Sequence, residues 1–380
     1  MRNNEHTPIA HNRPNLTFGE SLSNPPSEIV DLINKERNAP VEISMDRSLR
    51  AKITDLCGMA CAFCHNEGTP VRQNNSDRVS IFELANGVNF IPGEMSNDDN
   101  LRETLIALKN ELELDELHLT GGEPTLNKDI EKIIQTANEL DLRVKLTTNG
   151  ETGATGIKKC IDAGISGINF SIFGATPEEY SAIQAGHAKN PKNAEHKLNM
   201  LNEAINEAVA HENISVSANV VVPDEEHIER TLGILDAYSD TLDIRLLNDI
   251  GQGEKSIIAT YKLLAEISAE PQKIDINAGE SGLRTVFSAH NRKISFKQIR
   301  RVILPETCKN CHKKYNCEEG FYGPRLYIDD NGKYRVGVCI ERMDLAIPVD
   351  EFIASDIPRE IVDLRNSEYE KLINLYERKT

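Results

Sequence analysis

The chain has 380 residues, 39% of them hydrophobic, which suffices for one large domain or two unequal ones. A formal net charge of −17 excludes non-specific binding to nucleic-acid backbones, which needs a basic face, but leaves room for a small anionic substrate held by a few local arginines. There is no apolar run long enough to cross a bilayer and no charged-then-apolar leader, so a cytoplasmic protein with reduced thiols is expected.

In chain order, residues 1 to about 25 are rich in Asn, Pro, His and Ser, lack apolar periodicity, and read as a poorly ordered or draping tail. Ser27–Asn34 has helical spacing, with Ile29, Leu32 and Ile33 on one side. These segments make up an N-terminal extension over 1–45. From about residue 46 the pattern becomes strand, loop, helix, repeated. Strands are expected at 49–54, 116–121, 143–148, 167–173, 214–222 and 242–247. Helices are expected near 100–113, 128–140, 154–164, 191–211, 225–238 and 255–269. Thr176-Pro-Glu-Glu179 is a helix start, with Thr176 as cap, Pro177 in the first turn and Glu179 closing a capping box. Six such units predict an α/β fold with a parallel sheet and right-handed crossovers, too few to close an eight-fold barrel. This core is assigned to 46–270.

Just after the first strand stand Cys57-Gly-Met-Ala-Cys61-Ala-Phe-Cys64, three thiols at C-x3-C-x2-C spacing. Three thiolates are one ligand short of a tetrahedral zinc site or a fully ligated cubane, so a cluster held there keeps one open position for chemistry. The spacing also leaves open a structural zinc, with His65 the only local fourth ligand, and a disulfide with one spare thiol. Ligands in parallel α/β folds gather at the carboxyl ends of the strands. The second strand ends in Gly121-Gly122-Glu123, two glycines that allow close backbone approach and a carboxylate that can accept from an ammonium. The third ends in Thr147-Thr148-Asn149-Gly150, a tight turn that can also present polar groups. Asn169 and Ser171 share one face of the fourth strand, and Asn219 lies near the end of the fifth. Arg245 sits on the sixth, where a buried arginine needs a partner: an anion or Asp243. Cys160, alone in a helical pattern, reads as a small core hydrophobe.

A second group, Cys308-x2-Cys311-x5-Cys317, is followed by Cys339. Residues 323–338 between the last two read as a hairpin turning at Asp-Asn-Gly. Four cysteines so placed can converge on a zinc or on an iron–sulfur cluster. They define a small domain over 271–349, and 350–380 reads as a C-terminal helix.

Cys57, Cys61 and Cys64 after a short strand, with the aromatic Phe63 before the third cysteine, resemble the signature of the radical S-adenosylmethionine (SAM) enzymes. The resemblance implies a partial (β/α)6 barrel, a 4Fe–4S cluster on the three cysteines, and SAM chelated to the open iron. One electron then cleaves SAM to a 5′-deoxyadenosyl radical that abstracts a substrate hydrogen. It implies SAM contacts from Phe63, Gly121, Gly122, Glu123 (to the amino group), Thr148, Asn149, Ser171, Asn219, Arg245 and the backbone of Leu247. It also implies an electron donor such as flavodoxin or ferredoxin. The second cysteine group and the hairpin from Arg325 to Cys339 resemble the auxiliary-cluster domain of the GTP 3′,8-cyclases and of the twitch and SPASM enzymes. That implies a second 4Fe–4S cluster on Cys308, Cys311, Cys317 and Cys339. The cyclase pattern has three C-terminal cysteines and a Gly-Gly tail, whereas this chain has four and ends in Tyr376-Glu-Arg-Lys-Thr380. The architecture is therefore expected, with a peptide-modifying maturase or GTP 3′,8-cyclase-like activity as the alternatives to another small-molecule reaction. Cys317 is the extra residue, either a fourth ligand or a catalytic hydrogen-atom donor. With about 45 residues before the first strand, a leader-binding domain is not expected. A nucleotide, sugar or other metabolite is favoured as substrate over a peptide, and a zinc protein stands as the non-enzymatic alternative.

Overall fold

The computed structural model describes residues 16–59, 61, 91, 93–184, 189–315, 317, 319–340, 342 and 345–376. Phe63, Cys64 and His65 lie outside the described residues.

The stretch expected to be a tail is docked from residue 16 onward. Helix α1 (Phe18–Ser21) starts at a capping box in which Thr17 and Glu20 satisfy each other's backbone N–H groups. The Phe18 ring packs 5.9 Å from Phe296, and the Gly19 N–H donates to the Tyr261 hydroxyl at 2.9 Å. Helix α2 (Ser27–Arg37) buries Ile29, Leu32 and Ile33, the face that the spacing predicts. It also buries Glu36, which accepts from Tyr261, Thr285 and Gln298 at 2.7, 2.5 and 2.9 Å. Burial pushes the Glu36 carboxyl up, and the three donors hold it in place.

Then follow β1 (Val41–Met45), β2 (Ser48–Lys52), α3 (Asp99–Leu112), β3 (Glu116–Thr120), α4 (Ile130–Glu139), β4 (Arg143–Thr148), α5 (Gly153–Asp162), β5 (Gly167–Ser171), α6 (Pro177–Ala182) and α7 (Pro191–Val209). Beyond them are β6 (Ser215–Val222), α8 (Ile228–Ala237), β7 (Asp243–Asn248) and α9 (Glu254–Glu266). Strands β2 to β7 are the six expected ones, side by side in sequence order and all parallel. The capping box at Thr176 and Glu179 forms as expected and opens α6.

Strand β1 was not expected, and neither were the three strands after β7. β8 (Glu270–Ala278), β9 (Gly282–Ala289) and β10 (Arg292–Ile299) form an antiparallel meander. β10 lies parallel to β7, and β8 carries β1 at the far edge, so the sheet continues through the boundary placed at 270/271. On the other side, β2 pairs in parallel with β11 (Arg325–Ile328). β11 turns back through the predicted hairpin into β12 (Tyr334–Gly337), which pairs with β13 (Ile347–Pro348). The C-terminal segment forms α10 (Val349–Ala354) and α11 (Ile357–Tyr376). Arg365 of α11 donates to the carbonyls of Asp46 and Leu112 at 3.1 and 2.8 Å, which clamps the helix over the link between β1 and β2. None of the described helices is long and apolar enough to cross a membrane.

The strands alternate in character. Outward residues such as Leu117, Leu119, Val144, Leu146, Ile168, Phe170, Val220 and Leu246 are buried beneath the helices. Inward residues are polar, and those of nine strands, β2 to β10, line one cavity of ≈ 350 Å³. A flat sheet cannot bring nine strands around one space, so the sheet curls into an α/β partial barrel with a polar lumen.

Candidate active site

The cysteine loop is held at the carboxyl end of β2 by hydrogen bonds from three directions. The Met59 N–H donates to Cys57 Sγ at 3.4 Å and Asn149 Nδ2 approaches the same sulfur at 3.6 Å. Cys61 bridges Gln184 through the backbone, and Gln184 Nε2 lies 3.9 Å from Cys61 Sγ. Gly58 donates its N–H to Glu151 at 2.8 Å, and a β-carbon there would lie 2.0 Å from that carboxylate, so a larger residue would push the Glu151 side chain aside. Lys197 pairs with Glu151 at 3.4 Å and donates to the Gly58 carbonyl. Amide donors on both described sulfurs favour the thiolate, the form that binds iron. Cys57 and Cys61 therefore fit cluster ligation.

The Gly-Gly-Glu turn is built against this loop. Gly122 and Glu123 donate their N–H groups to the carbonyls of Thr54 and Leu56 at 2.8 and 2.6 Å. A β-carbon on Gly122 would lie 2.3 Å from Leu56 O, and one on Gly121 would lie 2.6 Å from Thr54 O. The glycines are thus required by the loop itself. Glu123 is fully buried and reaches across to the end of β4. Oε1 accepts from the Thr125 N–H at 3.0 Å and from the hydroxyls of Thr125 and Thr148, both at 2.6 Å, and Oε2 accepts from the Asn149 N–H at 2.6 Å. Through these four bonds, three on Oε1 and one on Oε2, Glu123 braces the turn to Thr148 and Asn149. Burial raises its pKa against these four donors.

Three of the residues expected to contact SAM are Arg245, Asn219 and Leu247. All three line the lumen, as does Asn169, which accepts from the Ser217 hydroxyl at 2.6 Å. Ser171 closes β5 two residues beyond Asn169, opposite Asn219 in the register. The lumen residues that the sequence did not single out are Asp46, Arg50, His118, Lys145, Glu280, Lys297 and Tyr322. Two cations are paired there, Lys145 with Glu116 at 2.7 Å and Arg284 with Asp275 at 2.6 Å. Arg50 and Lys297 instead lie over the Tyr322 ring, 5.1 and 4.2 Å from its centre. Burial, with Arg284 close by, pulls Arg245 down to about 10. Burial and the neighbouring cations, Arg50 first, hold His118 well below its usual range, so it is neutral and takes part in a 2.8 Å hydrogen bond with the Thr147 hydroxyl.

Asp46 is pushed up to about 8 by burial and by the Glu280 carboxylate beside it. Because the folded-state value lies above the unfolded one, the folded chain binds the extra proton between about pH 4 and 8, and stability falls as pH rises through that window. Urea denaturation of Asp46→Asn at pH 5 and pH 8 is expected to show a smaller loss over that interval than the parent chain. An unchanged slope would remove Asp46 as the titrating group.

In the second cysteine group, Cys308, Cys311 and Cys317 are neighbours. Burial pushes the Cys308 thiol up, and Cys311 and Cys317 add to the rise. The Gly320 N–H donates to Cys317 Sγ at 3.2 Å, and Glu360 of α11 anchors the loop through Thr307 Oγ1 at 2.6 Å. Cys339 follows β12, close enough to Arg325 and Tyr327 to act on both electrostatically. Among the described residues, no three His, Cys, Asp or Glu side chains are arranged to hold a metal ion. Cys160 is fully buried and its thiol is pushed up to about 12 by burial, as a core residue should be.

Residues 51–237 match the profile of the radical SAM superfamily. The chain carries a radical SAM domain. Membership implies a 4Fe–4S cluster and SAM. The protein named "Probable GTP 3′,8-cyclase" of Methanocaldococcus jannaschii is 25% identical over 75% of this chain and 86% of its own length. The protein of that name from Halobacterium salinarum is 31% identical, but the match spans 32% of this chain and only 30% of that relative. Among solved structures, SuiB of Streptococcus suis overlaps with a TM-score of 0.47 at 11% identity, across 86% of this chain and 67% of that one.

Proposed function

We propose that this radical SAM enzyme abstracts hydrogen from a small anionic molecule held in the barrel lumen. The observation that supports the reading is the cavity of ≈ 350 Å³ inside the barrel, in which Arg50, Arg245 and Lys297 are not ion-paired among the described residues. Half-buried cations without carboxylate partners are favourable places for a ligand that supplies the anion. The volume suits a nucleotide fragment, a sugar or a comparable metabolite. Cys57, Cys61 and Cys64 would hold the cluster, which when bound supplies the electron that cleaves SAM. Asn149 and Gln184 aim amides at the sulfurs, and Glu151 with Lys197 fixes the loop between them. Glu123 ties that loop to β4, where Thr147 and Lys145 already face the lumen. Cys308, Cys311, Cys317 and Cys339 are proposed as ligands of a second cluster, since β11 and β12 set Arg325 in register with Arg50 and carry the chain on to Cys339.

The test is an anaerobic assay with reductant, SAM and candidate anionic metabolites deuterated at each carbon. Formation of 5′-deoxyadenosine carrying deuterium from one of them is the expected result. Formation of 5′-deoxyadenosine at the same rate with and without every anionic candidate, and without deuterium in it, would refute the substrate class. The relatives' names raise GTP as one such anion, and guanosine triphosphate belongs in the same panel.

A further inference from the structure

The three unpaired lumen cations are not equivalent. Arg50 and Arg245 are guanidiniums and keep their charge, whereas an amine among them can give its proton up. Lys145 lines the same cavity but is ion-paired with Glu116 at 2.7 Å. Lys297 has no such partner among the described residues. Its Nζ lies 4.2 Å from the centre of the Tyr322 ring, and Arg50 lies 5.1 Å from the same centre. Its placement comes from β10, whose register sets Lys297 beside Leu247 of β7, two residues beyond the pair formed by Arg245 and Ser295.

Resting on the lumen as substrate cavity, we propose that Lys297 is a nucleophilic amine that forms an imine with an anionic carbonyl compound, whose anion Arg50 and Arg245 hold. Burial and the Arg50 charge pull Lys297 down to about 8, against the opposing influence of Glu280 and Glu319. At pH 8 about half of such an amine is free, against roughly 0.4% of an ordinary lysine near 10.4, about a hundredfold difference. A lysine beside fixed cations in a dry site is activated in this way. In the reaction, Nζ attacks the carbonyl carbon, the new C–N bond becomes C=N, and the oxygen departs as water with the two protons from nitrogen. No oxidant or reductant is consumed.

The probe is glyoxylate, the smallest anionic aldehyde, added with cyanoborohydride to the anaerobically reconstituted holoenzyme at pH 8 without SAM. Peptide mapping is expected to find a carboxymethyl group on Lys297 at least about tenfold above any surface lysine. Glycolaldehyde, which lacks the charge, should label Lys297 far less. Inorganic phosphate should protect it in the unaltered protein, and Arg50→Gln should lower the labelling about tenfold. Lys297→Arg should lose that label and leave the surface pattern intact. Labelling spread evenly over exposed lysines, or labelling of Lys297 indifferent to both phosphate and Arg50→Gln, would overturn the proposal. Because SAM takes no part, either result leaves the test of SAM cleavage untouched.

Discussion

Cys57→Ala is expected to abolish 5′-deoxyadenosine formation, with the rate falling roughly a hundredfold or more, to background. Iron and sulfide per chain should fall by one cluster's worth. The residue stands where the Met59 N–H and the Asn149 amide converge on one sulfur, so alanine removes the ligand and leaves two donors without their acceptor. The fold should survive. Cys57 is only partly buried, and its loop keeps the Glu151 and Lys197 anchors at Gly58 and the backbone bonds from Gly122 and Glu123. Circular dichroism should therefore match the parent chain. Cys317→Ala supplies the contrast. Its sulfur lies with Cys308 and Cys311, and its loss should spare SAM cleavage while lowering iron content if that thiol serves only the second group. SAM cleavage by Cys57→Ala at the parent rate would remove the cysteine loop from the chemistry altogether.

The six parallel strands were legible because both of their sides speak in sequence. Leu117 and Leu119, or Ile168 and Phe170, are apolar on the helix side, and turn signals such as Thr147-Thr148-Asn149-Gly150 mark the ends. β8 to β10 were missed for a physical reason. Their inward residues Asp275, Asn277, Arg284 and Lys297 face a polar lumen, so half of each strand reads as surface. The β9–β10 turn uses His290 and Asn291 at φ 49° and 63°, where the usual hairpin signal is Asn-Gly. Period-two alternation in Ile274, Ile276 and Ala278 was the available clue. Missing those strands hid Lys297 and Glu280, and with them half of the lumen's charge. The docked helix α1 was missed although its start carries a signal. Thr17-Phe-Gly-Glu20 carries the same capping signature as Thr176–Glu179, but it stands in a Pro- and Asn-rich stretch that otherwise reads as coil. The second cysteine group gave its residues but not its geometry: Cys308, Cys311 and Cys317 fall together on one loop, while Cys339 arrives on a different strand.

Glu123→Ala is expected to cost about 2–4 kcal/mol of stability, because two backbone N–H groups and two hydroxyls lose a buried acceptor at roughly 1–3 kcal/mol for each group left unsatisfied, less what the hydroxyls regain elsewhere. The Thr125 and Asn149 amides cannot turn away. Thr125 lies in the short 3-10 turn Pro124–Leu126 that Glu123 caps, and Asn149 follows directly on β4. The loss should reach the cysteine loop. Asn149 carries the amide that approaches Cys57 Sγ, and the Glu123 backbone holds Leu56, one residue before Cys57. Iron content after reconstitution is therefore expected to drop along with stability, which no direct loss of a ligand would explain. Glu123→Gln separates the two roles. It keeps an oxygen for the Thr125 and Thr148 hydroxyls but sets an NH2 against the Asn149 N–H, so its instability should concentrate at that end and weaken the loop nearly as much. Thr148→Val, which deletes one donor to the carboxylate and the acceptor of the Gly150 N–H but leaves the carboxylate bonded to Asn149, should cost about 1–3 kcal/mol and keep the iron. A Glu123→Ala variant with the parent urea midpoint and full iron loading would mean that the carboxylate is no brace, and that its charge is there for SAM.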